Sequence, residues 1–446
     1  MTGAAGLLAV AELVKRIGMI EELDAAIASF KTRRRGVSAG QFLTALACAQ
    51  LTGADHLVGM DHRRADAVSE SFWPTPTPAS STVTGLARRI DGPQWQAALA
   101  ATATVTARVL AMVEPGVRAR ICRSAPTIDL DTTDIEVYGR KKAGVCFNYL
   151  GQRSGRVHAA AWAEGGLITA AELTDSRTTA HDHALALVEQ ALLWLERAGL
   201  DWDPGARPRV RADIGYCSKS TAEDIVAAGA DFAIGIQRQP KIWCLLTSPD
   251  LQWEPAIGMD NAQITAIDYP YRGWPLGTRV IIRRVAHNSE DIGADPRARR
   301  RRTLAPAQLA LPMPTGTAYG YSFILTNLDT STLDKAAKVE TWHRHRTDIE
   351  EMFKQAKHGA ALRHLPSGDP AINTAWVHAA FLAISITAWL NLVLDSPRRI
   401  GLVRWRRELI TPAARLVRHA RRVHLRCASH SLLPAVLARI RELPAA

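Results

Sequence analysis

The sequence predicts an α/β protein whose mixed-sheet core is flanked by helical regions on both sides. Through the first 120 residues or so, apolar residues recur at three- and four-residue spacing, which is typical of helices. After Pro126 the pattern changes to short, alternating, β-rich segments, which predict strands. From Pro208 a strand, an aspartate, a glycine, a helix and a second strand follow in order, as in an α/β unit.

The same patterns divide the chain into consecutive domains. Trp243, Trp253 and Trp274, with many prolines and glycines, interrupt the α/β order and predict an inserted β-rich subdomain, in which we interpret these tryptophans as core. The predicted domains are residues 1–120, helical; 121–237, the first part of the core; 238–318, the insertion; 319–396, the second part of the core; and 397–446, a basic helical C-terminal region.

Local signals place the elements within these domains. Ser154-Gly155 is a hairpin signal, so the turn between two neighbouring strands is expected there. Thr179 is the expected cap of the next helix, and Pro412 is expected near a helix start. The core strands are predicted at residues 127–137, 145–152, 156–163, 167–173, 208–213, 231–237 and 319–327, and its helices at 178–199, 218–229, 333–358 and 371–394.

The composition favours a polyanionic partner. The formal net charge is +12, and the basic residues recur in clusters rather than in one tail. The clusters lie at residues 31–35, 297–302 and 398–426. Distributed positive charge suits a long polyanion such as DNA, which is touched at several places.

Several patterns point to the cytoplasm and away from a membrane. The six cysteines form no CxxC pair and have no zinc-ligand spacing, which favours free thiols in a reducing compartment. No N-terminal signal segment is visible. The apolar segment 371–394 is interrupted by polar residues such as Asn373, His378 and Asn391, which favours a buried core helix over a membrane span.

Acidic residues stand where strands are predicted to end. Asp131 and Asp129 share one face of the first strand, Asp134 follows closely, and Asp213 ends a later strand. Carboxylate oxygens are the hard ligands that Mg²⁺ prefers, and two such ions can catalyse phosphoryl transfer. Together with Glu350, these residues are candidate metal ligands.

Glu350 belongs to a predicted helix on which Arg346, Glu350 and Lys357 share one stripe, because about 100° of rotation per residue brings the three within about 40° of each other. Such a stripe could bind a metal ion through the carboxylate and hold phosphates with the two cations. The alternative is an exposed face with ordinary pairing between Arg346 and Glu350, a weak interaction.

The three acidic segments together resemble bacterial insertion-sequence transposases of the DDE class, whose catalytic core is RNase H-like. The matching segments are Ile128-Asp-Leu-Asp131-Thr-Thr, Val210-Arg-Ala-Asp213-Ile-Gly and Arg346-Thr-Asp-Ile-Glu350-Glu-Met-Phe-Lys-Gln-Ala-Lys357. The last is similar to the family signature Tyr-x2-Arg-x3-Glu-x6-Lys, except that His343 stands at the position of the tyrosine. The similar layout extends over residues 126 to 395, including the β-rich insertion.

The resemblance implies roles for these residues. Asp131, Asp213 and Glu350 would be the catalytic, metal-binding triad, with two Mg²⁺ ions per site and Mn²⁺ as a substitute. Arg346, Lys357 and His343 would contact DNA. We prefer Asp131 as the first acid because it precedes the threonine pair, with Asp129 and Asp134 as alternatives that could assist or replace it.

The implied function is cut-and-paste DNA transposition. The protein would bind terminal inverted repeats through its N-terminal helical domain, pair two transposon ends as a homodimer, cleave them and join them to target DNA in the bacterial cytoplasm. One alternative is a catalytically inactive DNA-binding protein derived from a transposase, and another is a different RNase H-like nuclease. The resemblance also gives Trp243, Trp253 and Trp274 an alternative role in stacking on a splayed base.

Overall fold

The computed structural model describes residues 1–28, 30, 35–203, 205–247, 251–269, 272–288, 316–396, 398–419 and 422–444. The basic cluster at residues 297–302 and all but Arg35 of the cluster at residues 31–35 lie outside the described residues.

The N-terminal region is helical, as predicted. Two of its helices begin with a capping box, in which Ser38 and Asp91 exchange hydrogen bonds with Gln41 and Gln94. The helices are α1 (Leu7–Arg16), α2 (Met19–Ala26), α3 (Ala39–Leu51), α4 (Gly59–Ala65), α5 (Ala67–Glu70), α6 (Ser80–Ala87), α7 (Gly92–Met112) and α8 (Pro115–Cys122).

One mixed sheet forms the centre of the molecule. Its strands are β1 (Thr127–Glu136), β2 (Cys146–Phe147), β3 (Arg153–Trp162), β4 (Leu167–Asp175), β5 (Arg209–Ala212), β6 (Asp231–Gly235), β7 (Glu254–Pro255), β8 (Ala262–Asp268), β9 (Arg279–Asn288) and β10 (Thr317–Thr326). The spatial order is β2-β3-β1-β5-β6-β10-β9-β8-β7, with β4 also paired to β3. Strand β1 is antiparallel to β3 but parallel to β5, and β5 is parallel to β6. This arrangement confirms the predicted α/β fold with a mixed sheet flanked by helices.

The helices of the core cross between these strands. They are α9 (Ala184–Arg197), α10 (Lys219–Ala227), α11 (Pro240–Trp243), α12 (Leu333–Arg344), α13 (Thr347–Gly359) and α14 (Pro370–Val393). Helix α10 joins the parallel strands β5 and β6, which confirms the α/β unit. The expected cap of α9 is wrong, because the Thr179 hydroxyl bonds to Asp182 in a short 3-10 turn and the α-helix starts only at Ala184.

The hairpin predicted at Ser154-Gly155 is also wrong, because both residues lie inside β3. The turn is at residues 148–151, where the Asn148 side-chain oxygen accepts hydrogen bonds from the amides of Leu150 and Gln152. Gly151 completes the turn with a φ of 73°, a conformation that glycine adopts without strain. The segment predicted as a strand at residues 145–152 therefore contains only the two-residue β2 and this turn.

The described strands of the predicted insertion extend the main sheet, because β9 pairs with both β8 and β10. Trp243 is buried and packs edge-on against Tyr321 and Phe323, which confirms its prediction as core. Trp253 and Trp274 are half-buried, the first beneath the Arg284 guanidinium and the second against Tyr269.

Helix α14 is the one described helix that is long and apolar enough to span a membrane, but 89% of its most apolar window is buried inside the protein. It packs against α3, α7 and α13. The prediction of a core helix is therefore confirmed.

The single helix predicted from Leu333 to about His358 is wrong, because the chain forms two helices, α12 and α13. At the break the His345 amide divides its hydrogen bond between the carbonyls of Thr341 and Trp342, and the Arg346 amide bonds three residues back, to the His343 carbonyl. The Trp342 carbonyl also accepts a hydrogen bond from Arg211 in β5, and this tertiary contact competes with the regular helical bond.

The C-terminal region is helical at both ends but not in the middle. Helix α15 (Leu402–Trp405) continues into a π-helical turn at Arg406–Ile410, and α16 (Leu433–Glu442) closes the described chain. Between them, β11 (Ala414–His419) and β12 (Arg422–Cys427) form an antiparallel hairpin. The helix start predicted near Pro412 is wrong, because the following residues alternate between the two faces of this hairpin.

Candidate active site

The sheet register places two of the predicted acids side by side. Leu130 of β1 pairs with Ala212 of the parallel strand β5. Asp131 lies inside β1, which continues to Glu136, so the prediction that it ends its strand is wrong. Asp213 comes directly after β5, and the two acids are therefore neighbours on adjacent strands, about 5 Å apart in the pairing direction. Asp213 is fixed by its own turn, in which its carboxylate accepts a hydrogen bond from the Gly215 amide at 2.9 Å.

The third acid, Glu350, lies in the first turn of α13 and is connected to Asp131 through Arg346. Nη1 of Arg346 lies 3.1 Å from the Asp131 carboxylate, and Nη2 lies 3.4 Å from Glu350. Asp213, Arg346 and Glu350 line one open cavity of about 690 Å³. Arg238, Arg283 and Arg344 line the same cavity, so it combines acidic groups with several cations.

The surroundings shift the pKa values of Asp131 and Arg346. Burial raises the pKa of the Asp131 carboxyl to about 6, against the lowering effect of Arg346. Burial opposes the charge of Arg346, but the carboxylates of Asp131, Asp213 and Glu350 together outweigh it and raise the pKa of the guanidinium. Asp131 is thus a carboxylate that protonates unusually easily, beside a permanent cation.

The two alternatives to Asp131 are already engaged by other arginines. Both oxygens of the buried Asp129 accept hydrogen bonds from Arg211, at 2.6 and 2.8 Å. Asp134 receives two hydrogen bonds from Arg156, at 2.7 and 3.0 Å, and one from Asn148 at 2.9 Å. Of the three aspartates, Asp131 is the one that lies beside Asp213 and Arg346.

The transposase DDE domain family matches residues 123–386, which is more than half of the chain and includes all three acids. The chain belongs to this family. Among solved structures it is similar to a piggyBac transposase in a synaptic complex with hairpin DNA, at 11% sequence identity and a TM-score of 0.43, over 91% of this chain and 79% of that one. No curated protein matches the sequence.

In this DDE domain, the two residues predicted to contact DNA beside Arg346 make contacts within the protein. Lys357 donates a hydrogen bond to the backbone carbonyl of Asp134 at 2.9 Å, and its pKa is lowered mainly by burial. His343 lies 3.2 Å from the carbonyl of Ala212, so Nε2 carries the proton that is donated. Burial lowers the pKa of His343 to about 4, which leaves its imidazole neutral at neutral pH.

Arg211 is a residue of the DDE domain that the sequence reasoning missed. It is buried, and it joins Asp129 of β1 to the Trp342 carbonyl at the end of α12. The indole of Trp342 also donates a hydrogen bond to the Thr127 hydroxyl at 3.0 Å. These contacts fix the α12–α13 junction on the two strands that carry Asp131 and Asp213. An arginine in a strand alternating with apolar residues was the only signal in the sequence.

Tyr216 was also missed. Its side chain is fully buried, three residues after Asp213, and its hydroxyl has no hydrogen-bond partner among the residues that the structure describes. Burial raises the pKa of Tyr216, and the carboxylates of Asp131 and Asp213 add to the effect. Nothing in the sequence distinguishes this tyrosine from an ordinary core residue.

Transposases of the DDE family use divalent metal ions. Asp131, Asp213 and Glu350 supply the hard oxygen donors that such ions prefer. Within the described part of the chain, no group of three potential ligands lies close enough to hold an ion, and the Arg346 guanidinium pairs with both Asp131 and Glu350. The donor chemistry of the three acids fits a divalent ion.

Proposed function

We propose that this protein is a cut-and-paste DNA transposase of the bacterial insertion-sequence type. It binds terminal inverted repeats, cleaves the DNA at the transposon ends and joins the freed 3′-hydroxyl to target DNA. The observation that carries the proposal is that Asp131 and Asp213 lie on adjacent strands and that Arg346 pairs with both Asp131 and Glu350, in a chain of the transposase DDE domain family.

The three carboxylates would hold two Mg²⁺ ions, with Mn²⁺ as a substitute. Bound ions supply activation of the attacking oxygen and stabilisation of the leaving oxygen. Arg346 lies beside the acids and would contact the phosphates of the DNA end, as would Lys357 and His343. The arginines that line the cavity would add attraction for the backbone.

The partners in this proposal are the two transposon ends and the target, all double-stranded DNA, with no membrane partner. The helical domain at residues 1–120 would bind the ends, and a homodimer would pair them in the bacterial cytoplasm, associated with the nucleoid. The formal charge of +12 supports binding to DNA at several places.

A strand-transfer assay tests the reaction itself. The substrate is a duplex that carries the inverted repeat flanking the gene, already cleaved to expose its 3′-hydroxyl, and the target is a supercoiled plasmid. The wild-type protein should join the duplex to the plasmid in Mg²⁺ or Mn²⁺ and not in EDTA. Asp131→Ala, Asp213→Ala and Glu350→Ala should each abolish joining but retain binding to the duplex.

The same assay separates the competing functions. Metal-dependent cleavage of the uncut duplex without joining would indicate another RNase H-like nuclease. Binding without cleavage or joining in any metal would indicate an inactive DNA-binding protein. Full activity of Asp213→Ala would refute the assignment of the site.

A further inference from the structure

Three exposed aromatic side chains lie on two segments that contact each other, the loop after β1 and the β2–β3 hairpin. Tyr138 is 86% exposed, Phe147 is 70% exposed and Tyr149 is 86% exposed. Throughout the described residues, no other phenylalanine, tyrosine or tryptophan is classed as exposed. Leu150, in the same turn, is 64% exposed. Scattered apolar residues on a surface need no explanation, but a cluster of this kind indicates an interaction site.

These side chains stand on a rigid support. Phe147 pairs with Arg153 across the β2–β3 hairpin, and the Asn148 side chain bonds both to the turn and to Asp134 of β1. Arg153 also donates hydrogen bonds to the carbonyls of Gly139 and Lys142, at 2.7 and 2.8 Å. The loop after β1 is therefore fixed against the hairpin. Rings held in this way lose little conformational entropy when a ligand binds them.

The surrounding charge is suited to an anion. Arg140 and Lys141 are exposed, and neither forms an ion pair with another described residue. The neighbouring acid, Glu136, accepts a hydrogen bond from the Tyr138 hydroxyl at 3.1 Å. Aromatic rings interleaved with unpaired cations are the features that bind single-stranded nucleic acid, because bases stack on the rings while the cations attract phosphates.

The position of the cluster connects it to the three acids. Tyr138 follows Asp131 by seven residues along an extended segment, which corresponds to roughly 23 Å at about 3.3 Å per residue. Asp134 lies between them and binds Asn148 through its side chain and Lys357 through its carbonyl. A DNA strand that enters the site along β1 would meet the aromatic rings a few nucleotides away.

We propose that Tyr138, Phe147 and Tyr149, with Arg140 and Lys141, form an aromatic surface that binds unpaired bases of the DNA strand a few nucleotides from the scissile phosphate. This inference rests on the proposed function and assigns to that site a second contact, specific for single-stranded DNA. The tryptophans of the insertion do not form this surface, because Trp243 is buried and Trp253 and Trp274 are packed against neighbours.

The test compares binding of single-stranded and duplex DNA without cleavage. Fluorescence anisotropy in EDTA measures the affinity of the full chain for a labelled single-stranded oligonucleotide of about 20 nucleotides and for the duplex of the same length. The combined change Tyr138→Ala and Tyr149→Ala should weaken single-strand binding at least about tenfold, because each lost ring removes a stacking contact. Duplex affinity, and the salt dependence of both affinities, should stay the same because no charge is removed.

Matched variants separate stacking from other effects. Tyr138→Phe and Tyr149→Phe keep the rings and should retain single-strand affinity, and Leu276→Ala, at a fully exposed apolar residue away from this surface, should change nothing. An oligonucleotide that contains 2-aminopurine should lose fluorescence on binding the wild-type protein, because the base stacks, and should lose much less on binding the alanine variant.

Equal single-strand affinity in the wild type and the alanine variant would overturn the proposal. So would light scattering that shows a wild-type dimer and a monomeric alanine variant with unchanged DNA binding, since the surface would then join two copies of the chain. If the wild-type protein bound neither single-stranded nor duplex DNA, the proposed function would fail together with this inference.

Discussion

Asp129 and Asp131 lie on the same strand face, two residues apart, yet their partners give them different roles. Arg211 occupies both oxygens of Asp129 within the core, whereas Asp131 lies beside Arg346. The spacing in the sequence limits the first acid of the triad to a few aspartates but does not decide among them. The arginines that distinguish these aspartates come from distant parts of the chain.

The pair formed by Asp129 and Arg211 should be essential for stability. Arg211→Met should lower the free energy of unfolding by about 3–5 kcal/mol, because it leaves a buried carboxylate without its partner. The double variant Asp129→Leu with Arg211→Met should be more stable than the sum of the two single changes predicts. Urea unfolding of the four proteins measures this coupling, and strictly additive effects would contradict it.

Metal binding should weaken as the pH falls through about 6, where the carboxyl of Asp131 gains a proton. Isothermal titration with Mn²⁺ at about pH 5 and about pH 8 measures the effect. Asp131→Asn removes this titration, so its affinity should be weaker at high pH and should change less between the two conditions. An equal pH dependence in both proteins would show that another group is responsible.

The stability of the fold depends on the same carboxyl, but its pH dependence is opposite to that of metal binding. The pKa of Asp131 is higher in the folded chain than its ordinary value of 3.8. Its contribution to stability is therefore complete below that value and is lost as the pH rises through about 6.

At the scale of elements, the sequence predicted the strands that carry the acids well and the α12–α13 junction poorly. Alternation and the Asp-x-Gly segment are local signals, and they placed β1, β5, α10 and β6 nearly correctly. The break at His345 and Arg346 has no proline or glycine to mark it. The break is accompanied by two tertiary contacts, a hydrogen bond from Arg211 to the Trp342 carbonyl and an ion pair between Asp131 and Arg346.

The β2–β3 turn depends on Asn148, which is not part of a Ser-Gly or Asn-Gly pair. Asn148→Ala removes hydrogen bonds to Asp134, Leu150 and Gln152 and should lower the free energy of unfolding by about 1–3 kcal/mol. Gln152→Ala, at an exposed residue of the same turn, should change it by less than about 0.5 kcal/mol. Thermal unfolding of both variants checks this difference, and equal effects would mean that the turn does not need Asn148.

At the scale of the whole molecule, the N-terminal helices and the DDE core share one continuous hydrophobic core. Gln50 of α3 bonds to the Trp376 carbonyl at 3.1 Å, and Thr106 of α7 accepts a hydrogen bond from the Trp389 indole at 3.0 Å. The sequence predicted a helical N-terminal region and an α/β core. Helical periodicity identifies the apolar face of each helix but not the face of the core against which it packs. The domain boundaries and the DNA-binding role of residues 1–120 stay predictions.

This packing predicts that the family-matched core does not fold alone. A chain that begins at residue 123 should expose the faces of α14 and β4 that α3 and α7 cover. We expect it to be insoluble, or to bind a hydrophobic dye and lose its near-ultraviolet circular dichroism. A soluble fragment with a cooperative thermal transition would show instead that the N-terminal helices form an independent domain.

The proposed function depends on Glu350 acting with Asp131 and Asp213. Glu351 is its adjacent control, since it lies on the same helix but bonds to Lys354 and Gln355. The decisive measurement is the rate of Mg²⁺-dependent cleavage at the inverted repeat by Glu350→Gln and Glu351→Gln. The account predicts a loss of at least about a hundredfold in the first variant and nearly wild-type cleavage in the second. Equal rates in the two variants would contradict it.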